Sequence, residues 1–248
     1  MTRLSLLLIG VAFAAGTPGL PKRFEAQFIH RAKLPKGDKV VCLTFDDGPS
    51  PGITEKILKT LKECDVKATF FLIGQNVKNA PKLARQIAEG GHAIGGHSYT
   101  HSRSLTIAQA RKEIANTNAA IAEATGVMPR LFRPPYGIQT SALSKAAREQ
   151  KMTLILWSIS SADTVRIDAA TIENNILHTP YSGDIILMHE AGGADHATAK
   201  ALPNIIRGIK QQGFRCVTVP ELLVMWDQQL SERERKASPS SMKDRSPR

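Results

Sequence analysis

The sequence predicts an α/β fold in which a parallel β-sheet is covered by helices. Strand-like and helix-like segments alternate along the chain in about seven βα units. The strand-like segments are too apolar for a sheet that has one face in water. No linker composition interrupts residues 37–230, which indicates a single domain. The alternation alone does not decide whether the sheet is open or closed into a barrel.

Seven apolar segments have the composition of strands. They are VVCLTF (40–45), ATFFLI (68–73), HAIGGH (92–97), RLFRP (130–134), MTLILWSI (152–159), DIILMH (184–189) and FRCVTV (214–219). Between and after them, apolar residues recur at helical spacing. These segments begin at residues 54, 81, 106, 141, 168, 198 and 220. Pro81 suits a first helical position, Gly126 ends the third helix, and Pro203 would kink or begin the sixth.

Both ends of the chain differ from this pattern. Residues 1–15 have the features of a secretory signal peptide, with Arg3 before an apolar run and a small-residue cleavage site. A buried N-terminal helix is the alternative. The signal would make the protein secreted, periplasmic or part of the cell envelope. Residues 231–248 lack apolar anchors and are predicted to form a disordered basic tail, so the folded domain is expected over residues 38–227.

The chain carries a formal net charge of +11, which would attract an acidic polymer. Nucleic acid is not expected, because no basic helix has interleaved aromatic residues and aromatic residues make up 5% of the chain. An anionic cell-wall polymer suits an exported protein better, and a solvated charged surface without a partner is the alternative. No segment reaches the length of a membrane-spanning helix, and we expect a monomer.

The three cysteines, Cys42, Cys64 and Cys216, show no Cys-x-x-Cys spacing. We interpret them as small buried apolar residues, and one disulfide with one free thiol is the alternative in an exported protein.

Polar residues follow the predicted strands at their carboxyl ends. They are Asp46, Asp47, His97, His101, Arg133, Asp163 and His189. In a parallel sheet or barrel these strand ends share one edge, where active sites are built. Residues that are distant in sequence are therefore expected to converge.

The segment HSYTH places His97 and His101 four residues apart, so a turn or tight loop would direct both imidazoles to one side, as for a divalent metal. A surface pair or buried core histidines would show the same spacing. The adjacent carboxylates Asp46 and Asp47 repel each other unless a cation lies between them. One of them could bind the metal and the other could act as a base toward water. An exposed turn with a helix cap is the alternative.

The segment RPPYG (133–137) predicts a rigid turn. Arg133 could hold a carboxylate, and Tyr136 has the first backbone N–H after two prolines, which could bind an oxyanion. A structural proline turn is the alternative. His189 is either a core histidine or, with Asp163 to keep it protonated, a general acid.

Five segments in this order resemble the polysaccharide deacetylases of the NodB-homology type, carbohydrate esterase family 4. They are TFDDGPS, HSYTH, RPPYG, a WS…D segment and LMH, and the resemblance covers about residues 38–225. It implies a distorted (β/α) barrel of about seven parallel strands. It also implies removal of acetyl groups from N-acetylated, or sometimes O-acetylated, sugars with one divalent ion, zinc or else cobalt or another metal.

The resemblance implies a metal site and a base. Asp47, His97 and His101 would be the metal ligands. Asp46 would be the catalytic base, and Arg133 would orient it.

The resemblance also implies residues that handle the acetyl group and the leaving amine. The N–H of Tyr136 would hold the oxyanion, and Leu187 would line the pocket for the acetyl methyl group. His189 would protonate the amine, and Asp163 would tune His189.

The fourth segment departs from the family pattern, which often reads Asp-x-x-Asp-Trp. Here Ser160 replaces the first Asp and Thr164 replaces the Trp, whereas Asp163 keeps the second Asp. The metal ligands and the base are unchanged, so activity is expected, with an altered acetyl pocket.

The substrate is expected to be a polysaccharide or oligosaccharide that contains N-acetylglucosamine. Peptidoglycan comes first because the protein is basic, chitin oligosaccharides second and acetylated xylan third. The alternative from another functional class is a carbohydrate-binding relative that has lost catalysis through the change in the fourth segment.

Overall fold

A nine-stranded parallel sheet lies at the centre of the computed structural model, which describes residues 19–34, 37–165, 168–190 and 197–237. The strands are β1 (Phe28–Ile29), β2 (Val40–Gly48), β3 (Thr69–Leu72), β4 (Ala93–Gly96), β5 (Leu131–Phe132), β6 (Thr153–Ile155), β7 (Ile159–Ser160), β8 (Asp184–His189) and β9 (Arg215–Cys216). Their order across the sheet is β1-β6-β5-β4-β3-β2-β8-β7, and β9 pairs with the first residues of β2.

The sheet curls into a distorted barrel, as the family resemblance implied. Just after β1, Arg31 forms an isolated antiparallel bridge with Asp184, the first residue of β8. Beside it, the Ala32 N–H donates to the Gly183 carbonyl at 3.0 Å. These contacts bring the first strand of the sheet back to β8, so the α/β fold class is confirmed in its barrel form.

All seven predicted strands are present, and two more strands raise the count to nine. One is β1, which is two residues long. The other arises because the predicted strand 152–159 divides into β6 and β7 around Trp157. The first half pairs with β1 and β5, whereas the second half crosses to β8, where Ser158 N–H donates to the Ile185 carbonyl at 3.0 Å.

Helices follow the strands and cover the sheet. They are α1 (Thr54–Glu63), α2 (Gly74–Asn79), α3 (Pro81–Glu89), α4 (Ile107–Thr125), α5 (Ala142–Glu149), α6 (Ala169–Leu177), α7 (Ala197–Gln211) and α8 (Val219–Ala237). The sequence did not predict α2, whose six residues are too few to show a helical period. Pro203 lies inside α7 rather than at its start.

The folded region extends beyond both predicted boundaries, 38 and 227. The segment before β2 packs into the core, where the rings of Phe24 and Trp226 stack at 4.9 Å. The basic tail predicted to be disordered from Ser231 is helical as far as Ala237. Arg23 ties this helix down by hydrogen bonds to Asp227 and Glu234, at 2.7–2.9 Å. The predicted signal peptide and residues 238–248 lie outside the described residues.

The two faces of β2 have different partners, and this alternation positions the site. Val41, Leu43 and Phe45 pack in a cluster with the helices of the barrel wall. Val40 and Cys42 pack on the other face with the N-terminal segment and α8. Thr44 and Asp46 continue this second face toward the carboxyl end of the strand.

The cysteines form no disulfide. Cys42 is buried, as expected, and burial raises the pKa of its thiol, whereas Cys64 and Cys216 are half-buried. None of the helices in the described part of the chain combines the length and the apolar composition that crossing a bilayer requires.

Candidate active site

The carboxyl ends of four strands converge at one edge of the barrel. Asp46 and Asp47 lie near the carboxyl end of strand β2. His97, Arg133 and His189 lie at the ends of β4, β5 and β8. The strand register places Asp46 beside His189, and the Arg133 N–H donates to the carbonyl of Gly96 at 3.0 Å. The expected convergence of these residues is therefore present.

Asp47, His97 and His101 form a cluster that could hold a metal ion, because their ligand atoms all lie within 4.8 Å of one another. Oδ1 of Asp47 is 3.5 Å from Nε2 of each histidine. Among the described residues, this buried oxygen has no hydrogen-bond partner. A buried carboxylate oxygen without a partner is costly, so two imidazole nitrogens and this oxygen fit a divalent cation.

The orientation of His97 is fixed by a hydrogen bond at the ring nitrogen that faces away from Asp47. Its Nδ1 lies 2.6 Å from the carbonyl oxygen of Arg133. Because a carbonyl only accepts hydrogen bonds, Nδ1 carries the proton and Nε2 presents its lone pair toward Asp47. This is the arrangement in which a backbone carbonyl sets the tautomer of a metal-binding histidine.

Arg133 is fully buried and holds Asp46. Its Nη1 donates to Oδ1 of Asp46 at 2.7 Å and to Oγ1 of Thr44 at 2.8 Å. Nε and Nη2 donate to the carbonyls of Ile155 and Leu156, at 3.1 and 3.0 Å. The other oxygen of Asp46 lies 3.7 Å from Nε2 of His97. Asp46 is therefore paired with the guanidinium of Arg133, whereas its neighbour Asp47 is not.

The half-buried His189 and the buried Asp163 form a second pair. His189 Nδ1 lies 2.7 Å from Oδ1 of Asp163, and the His189 backbone N–H donates to Oδ2 at 2.8 Å. Thr198 on α7 donates to the same Oδ2 at 2.6 Å. Burial lowers the pKa of His189, but the hydrogen bond to Asp163 and the nearby carboxylates outweigh burial and raise it. His189 is thus stabilised in its protonated form.

Tyr136 and Leu187 also lie at this edge. Tyr136 has a positive φ of 60°, and its ring packs edge-on against the imidazole of His101 with centroids 4.7 Å apart. Tyr136 is 52% exposed, so part of its surface is accessible to a ligand. Leu187 is buried on β8, on the same face of the strand as His189 two residues later.

The departures in the fourth segment lie at the surface. Ser160 and Thr164 are both exposed. Trp157 is a nearby aromatic residue and is half-buried. Its ring centroid lies 5.8 Å from the guanidinium carbon of Arg133. Gly137 leaves room for it, because a Cβ there would lie 2.7 Å from the Trp157 ring.

The sequence did not single out Glu190, which lies beneath the turn that follows Asp47. Its Oε2 accepts a hydrogen bond from Thr54, and Oε1 has no partner among the described residues. Burial raises the pKa of Glu190 to about 8, so the side chain is largely neutral at pH 7. A Cβ on Gly48 would overlap this carboxyl group, so any larger residue there would displace it.

Two other residues that hold the site residues in place lie on helices rather than at strand ends. Thr198 on α7 binds Asp163, and Glu113 on α4 binds the loop between His97 and His101. No local sequence signal identifies either residue, because both reach the site through helix packing.

Comparison with known proteins agrees with this geometry. Residues 33–155 match the family model described as polysaccharide deacetylase. A peptidoglycan-N-acetylglucosamine deacetylase from Bacillus cereus is 38% identical over 82% of this chain and 74% of its own length.

Two solved structures show the same fold. A peptidoglycan N-acetylglucosamine deacetylase in complex with 4-naphthalen-1-yl-N-oxidanyl-benzamide superimposes with a TM-score of 0.74 at 36% identity, covering 80% of this chain and 92% of that one. A CE4 family pseudoenzyme from Bacillus anthracis gives a TM-score of 0.72 at 32% identity, covering 80% and 69%. The sequence identity, the shared fold and the convergence of the family motifs at one site all agree. This chain therefore belongs to the polysaccharide deacetylase family.

Proposed function

We propose that this protein is a divalent-metal-dependent N-deacetylase that acts on the N-acetylglucosamine residues of peptidoglycan. Family membership supports polysaccharide deacetylation. The observation that carries the metal dependence is the buried Oδ1 of Asp47, which faces two histidine nitrogens and has no hydrogen-bond partner among the described residues. The names of the similar proteins favour peptidoglycan as the polymer.

Asp47, His97 and His101 would hold the metal, for which we propose zinc, with cobalt as a functional substitute. Three protein ligands leave a position open, as in catalytic rather than structural zinc sites. A cation bound there would polarise the acetyl carbonyl and promote ionisation of water.

Asp46 is the proposed general base. It lies next to the metal ligands but is held by Arg133 at 2.7 Å, so it is positioned without being needed as a ligand. Its free oxygen accepts a proton from the water whose oxygen bonds to the acetyl carbon. The Arg133 guanidinium keeps the carboxylate oriented, and the Thr44 hydroxyl oxygen accepts a hydrogen bond from the same Nη1.

The acetyl group is proposed to lie between Tyr136 and Leu187. The backbone N–H of Tyr136 would donate to the oxyanion that forms when water adds to the carbonyl. The rigid turn at Pro134 and Pro135 supports this placement, because it holds Tyr136 at a φ of 60°. Leu187 would contact the acetyl methyl group from the buried face of β8.

His189 is the proposed general acid. The carbon–nitrogen bond breaks when His189 gives its proton to the sugar nitrogen, and acetate and the free amine are the products. Asp163 supports this role, because its carboxylate binds Nδ1 and stabilises the protonated ring. Nε2 is then the nitrogen that donates.

Acetate release from purified peptidoglycan tests the proposal. We expect chelation to abolish release, and added zinc or cobalt to restore it. His101→Ala should lose metal, because two remaining protein ligands hold it poorly. Full activity in protein shown by elemental analysis to be free of metal would exclude the metal dependence.

The substrate part of the proposal is supported by a surface beside the metal ligands. The guanidinium carbon of Arg103 lies 4.9 Å from the centroid of the Tyr136 ring, and both side chains are exposed. An aromatic face suits the apolar side of a sugar ring, and a cation suits an anionic group on a neighbouring sugar. Peptidoglycan offers such carboxylates, whereas chitin does not.

Replacement of Arg103 tests this choice of polymer. We expect Arg103→Ala to raise KM for anionic glycan strands by about two- to fivefold, the effect of an exposed charge pair, and to leave KM for neutral chitin oligosaccharides unchanged. Arg215→Ala is the control, because Arg215 is exposed on β9 beside the opposite end of β2. Faster deacetylation of chitin or xylan than of peptidoglycan would contradict the substrate assignment.

A second candidate is a carbohydrate-binding protein without catalysis. The similar CE4 family pseudoenzyme and the changed residues Ser160 and Thr164 favour it. The acetate assay distinguishes the two, because this candidate would bind the glycan and release no acetate at any metal concentration.

We also propose that the protein acts outside the cytoplasm, as a monomer, which suits a cell-wall substrate. Fractionation of cells that express the full chain tests the location. Sedimentation of the purified protein tests the monomer.

A further inference from the structure

Glu113 holds the loop that connects His97 to His101. Its Oε2 accepts hydrogen bonds from the backbone N–H groups of Tyr99 and Thr100, both at 2.8 Å. Its Oε1 accepts from the Thr100 hydroxyl at 3.0 Å. One carboxylate on α4 thus binds two of the three residues between the histidines of the His-x-x-x-His segment.

The loop needs such support because its backbone is strained. Ser98 and His101 have φ values of 63° and 58°, in the left-handed region that side-chain-bearing residues rarely adopt. Such a conformation is energetically costly and persists only where the surrounding structure enforces it. Successive N–H groups in a loop of this kind form a concavity that attracts an anion. Here the anion is a carboxylate of the chain itself.

Helix α2 holds the opposite side of the same loop. The N–H groups of Gly74 and Gln75 donate to the carbonyls of Ser98 and Tyr99, at 3.0 and 3.1 Å. Gly74 permits this approach, because a Cβ would lie 2.5 Å from the Tyr99 ring. Two loop carbonyls are therefore bound by α2 and two loop N–H groups by Glu113.

We propose that Glu113 is a positioning residue that sets the separation and orientation of the two histidines for a divalent metal, without touching the metal. This inference rests on the proposed function, since it assumes that Asp47, His97 and His101 bind a cation. Loss of the carboxylate frees two N–H groups and lets the strained loop relax, which moves His101 relative to His97. The metal then binds less tightly, although every ligand is present.

Zinc affinity of the metal-free protein, measured by isothermal titration calorimetry, is the test. We expect Glu113→Ala to weaken binding by about 10–100-fold, the usual effect of losing a residue that orients a metal ligand. Glu113→Gln keeps one carbonyl oxygen that can accept both N–H groups, so it should recover most of the affinity. Glu123→Ala is the matched control on the same helix, because Glu123 is exposed and pairs only with Lys78 among the contacts described for it.

The visible spectrum of the cobalt-loaded protein gives a second readout, because its bands depend on the geometry of the ligands. We expect Glu113→Ala to change the band positions, and Glu113→Gln and Glu123→Ala to keep them. If the wild type binds zinc and Glu113→Ala binds it equally well with an unchanged spectrum, Glu113 has no positioning role. If Glu113→Ala does not fold, an affinity of Glu113→Gln as low as that of His101→Ala would also overturn the proposal. Absence of zinc binding by the wild type would instead refute the proposed function.

Discussion

Replacement of Arg133 by methionine should destabilise the protein more than replacement of any exposed arginine. Arg133 is fully buried, and Asp46 beside it is nearly so. Methionine fills similar space but leaves the Asp46 carboxylate without its cation. It also removes the donors to the carbonyls of Ile155 and Leu156.

The expected loss follows from these contacts. Removing one partner of a buried ion pair costs about 3–5 kcal/mol, because the remaining charge is left in an apolar environment. Each buried carbonyl without a donor adds about 1 kcal/mol or more. With two such carbonyls, we therefore expect the free energy of unfolding to fall by about 5–7 kcal/mol, a large part of the stability of a typical domain.

Urea unfolding of the metal-free protein, followed by circular dichroism, measures this loss. Asp46→Asn in the Arg133→Met background should regain part of it, since the lone buried charge is then absent. Arg111→Met is the control, because Arg111 forms an exposed pair with Glu149 at 2.9 Å and its loss should barely change stability. A loss below about 1 kcal/mol for Arg133→Met, or no recovery in the double variant, would refute the reasoning.

The remaining predictions concern the proposed catalytic roles. Asp46→Asn should keep zinc and lose at least about two orders of magnitude in kcat, whereas Asp47→Asn should lose zinc; equal metal loss in both variants would mean that the pair is wrongly assigned. His189→Ala should slow hydrolysis of an N-acetyl sugar far more than that of an activated acetyl ester, because only the amine needs a proton to leave; equal effects would exclude the acid role. Asp163 raises the pKa of His189, so Asp163→Asn should lower that pKa and shift the alkaline limb of the pH–rate profile to lower pH; an unmoved limb would contradict this pairing.

The sequence predicted the location of the candidate site because parallel strands end at one edge. Asp46, His97, Arg133 and His189 each follow an apolar run, and the barrel brings them together. The family resemblance supplied the roles of these residues, which remain predictions. It also supplied the barrel form, which the alternation of strands and helices left undecided.

Other features depend on contacts that no local pattern reports. The run from Met152 to Ile159 is mostly apolar and contains no turn residue such as Gly or Pro, and the change of pairing partner divides it at Trp157. Glu113 and Thr198 lie on helix faces whose partners are set by packing across the barrel. The basic segment from Ser231 continues helix α8 as far as Ala237, and Glu234 in it binds Arg23, more than two hundred residues earlier.

Arg133 contacts the site through two different chemical groups. Its guanidinium binds Asp46, whereas its carbonyl oxygen accepts from Nδ1 of His97. Side-chain mutagenesis at this position can delete the first contact but never the second, so any scan of residue 133 will underestimate what the position contributes. A shift of the backbone at the end of β5 would displace the proposed base and a proposed metal ligand together. Substitutions that alter that backbone, such as Pro134→Ala, should therefore produce correlated losses of turnover and metal that no side-chain change at 133 can reproduce.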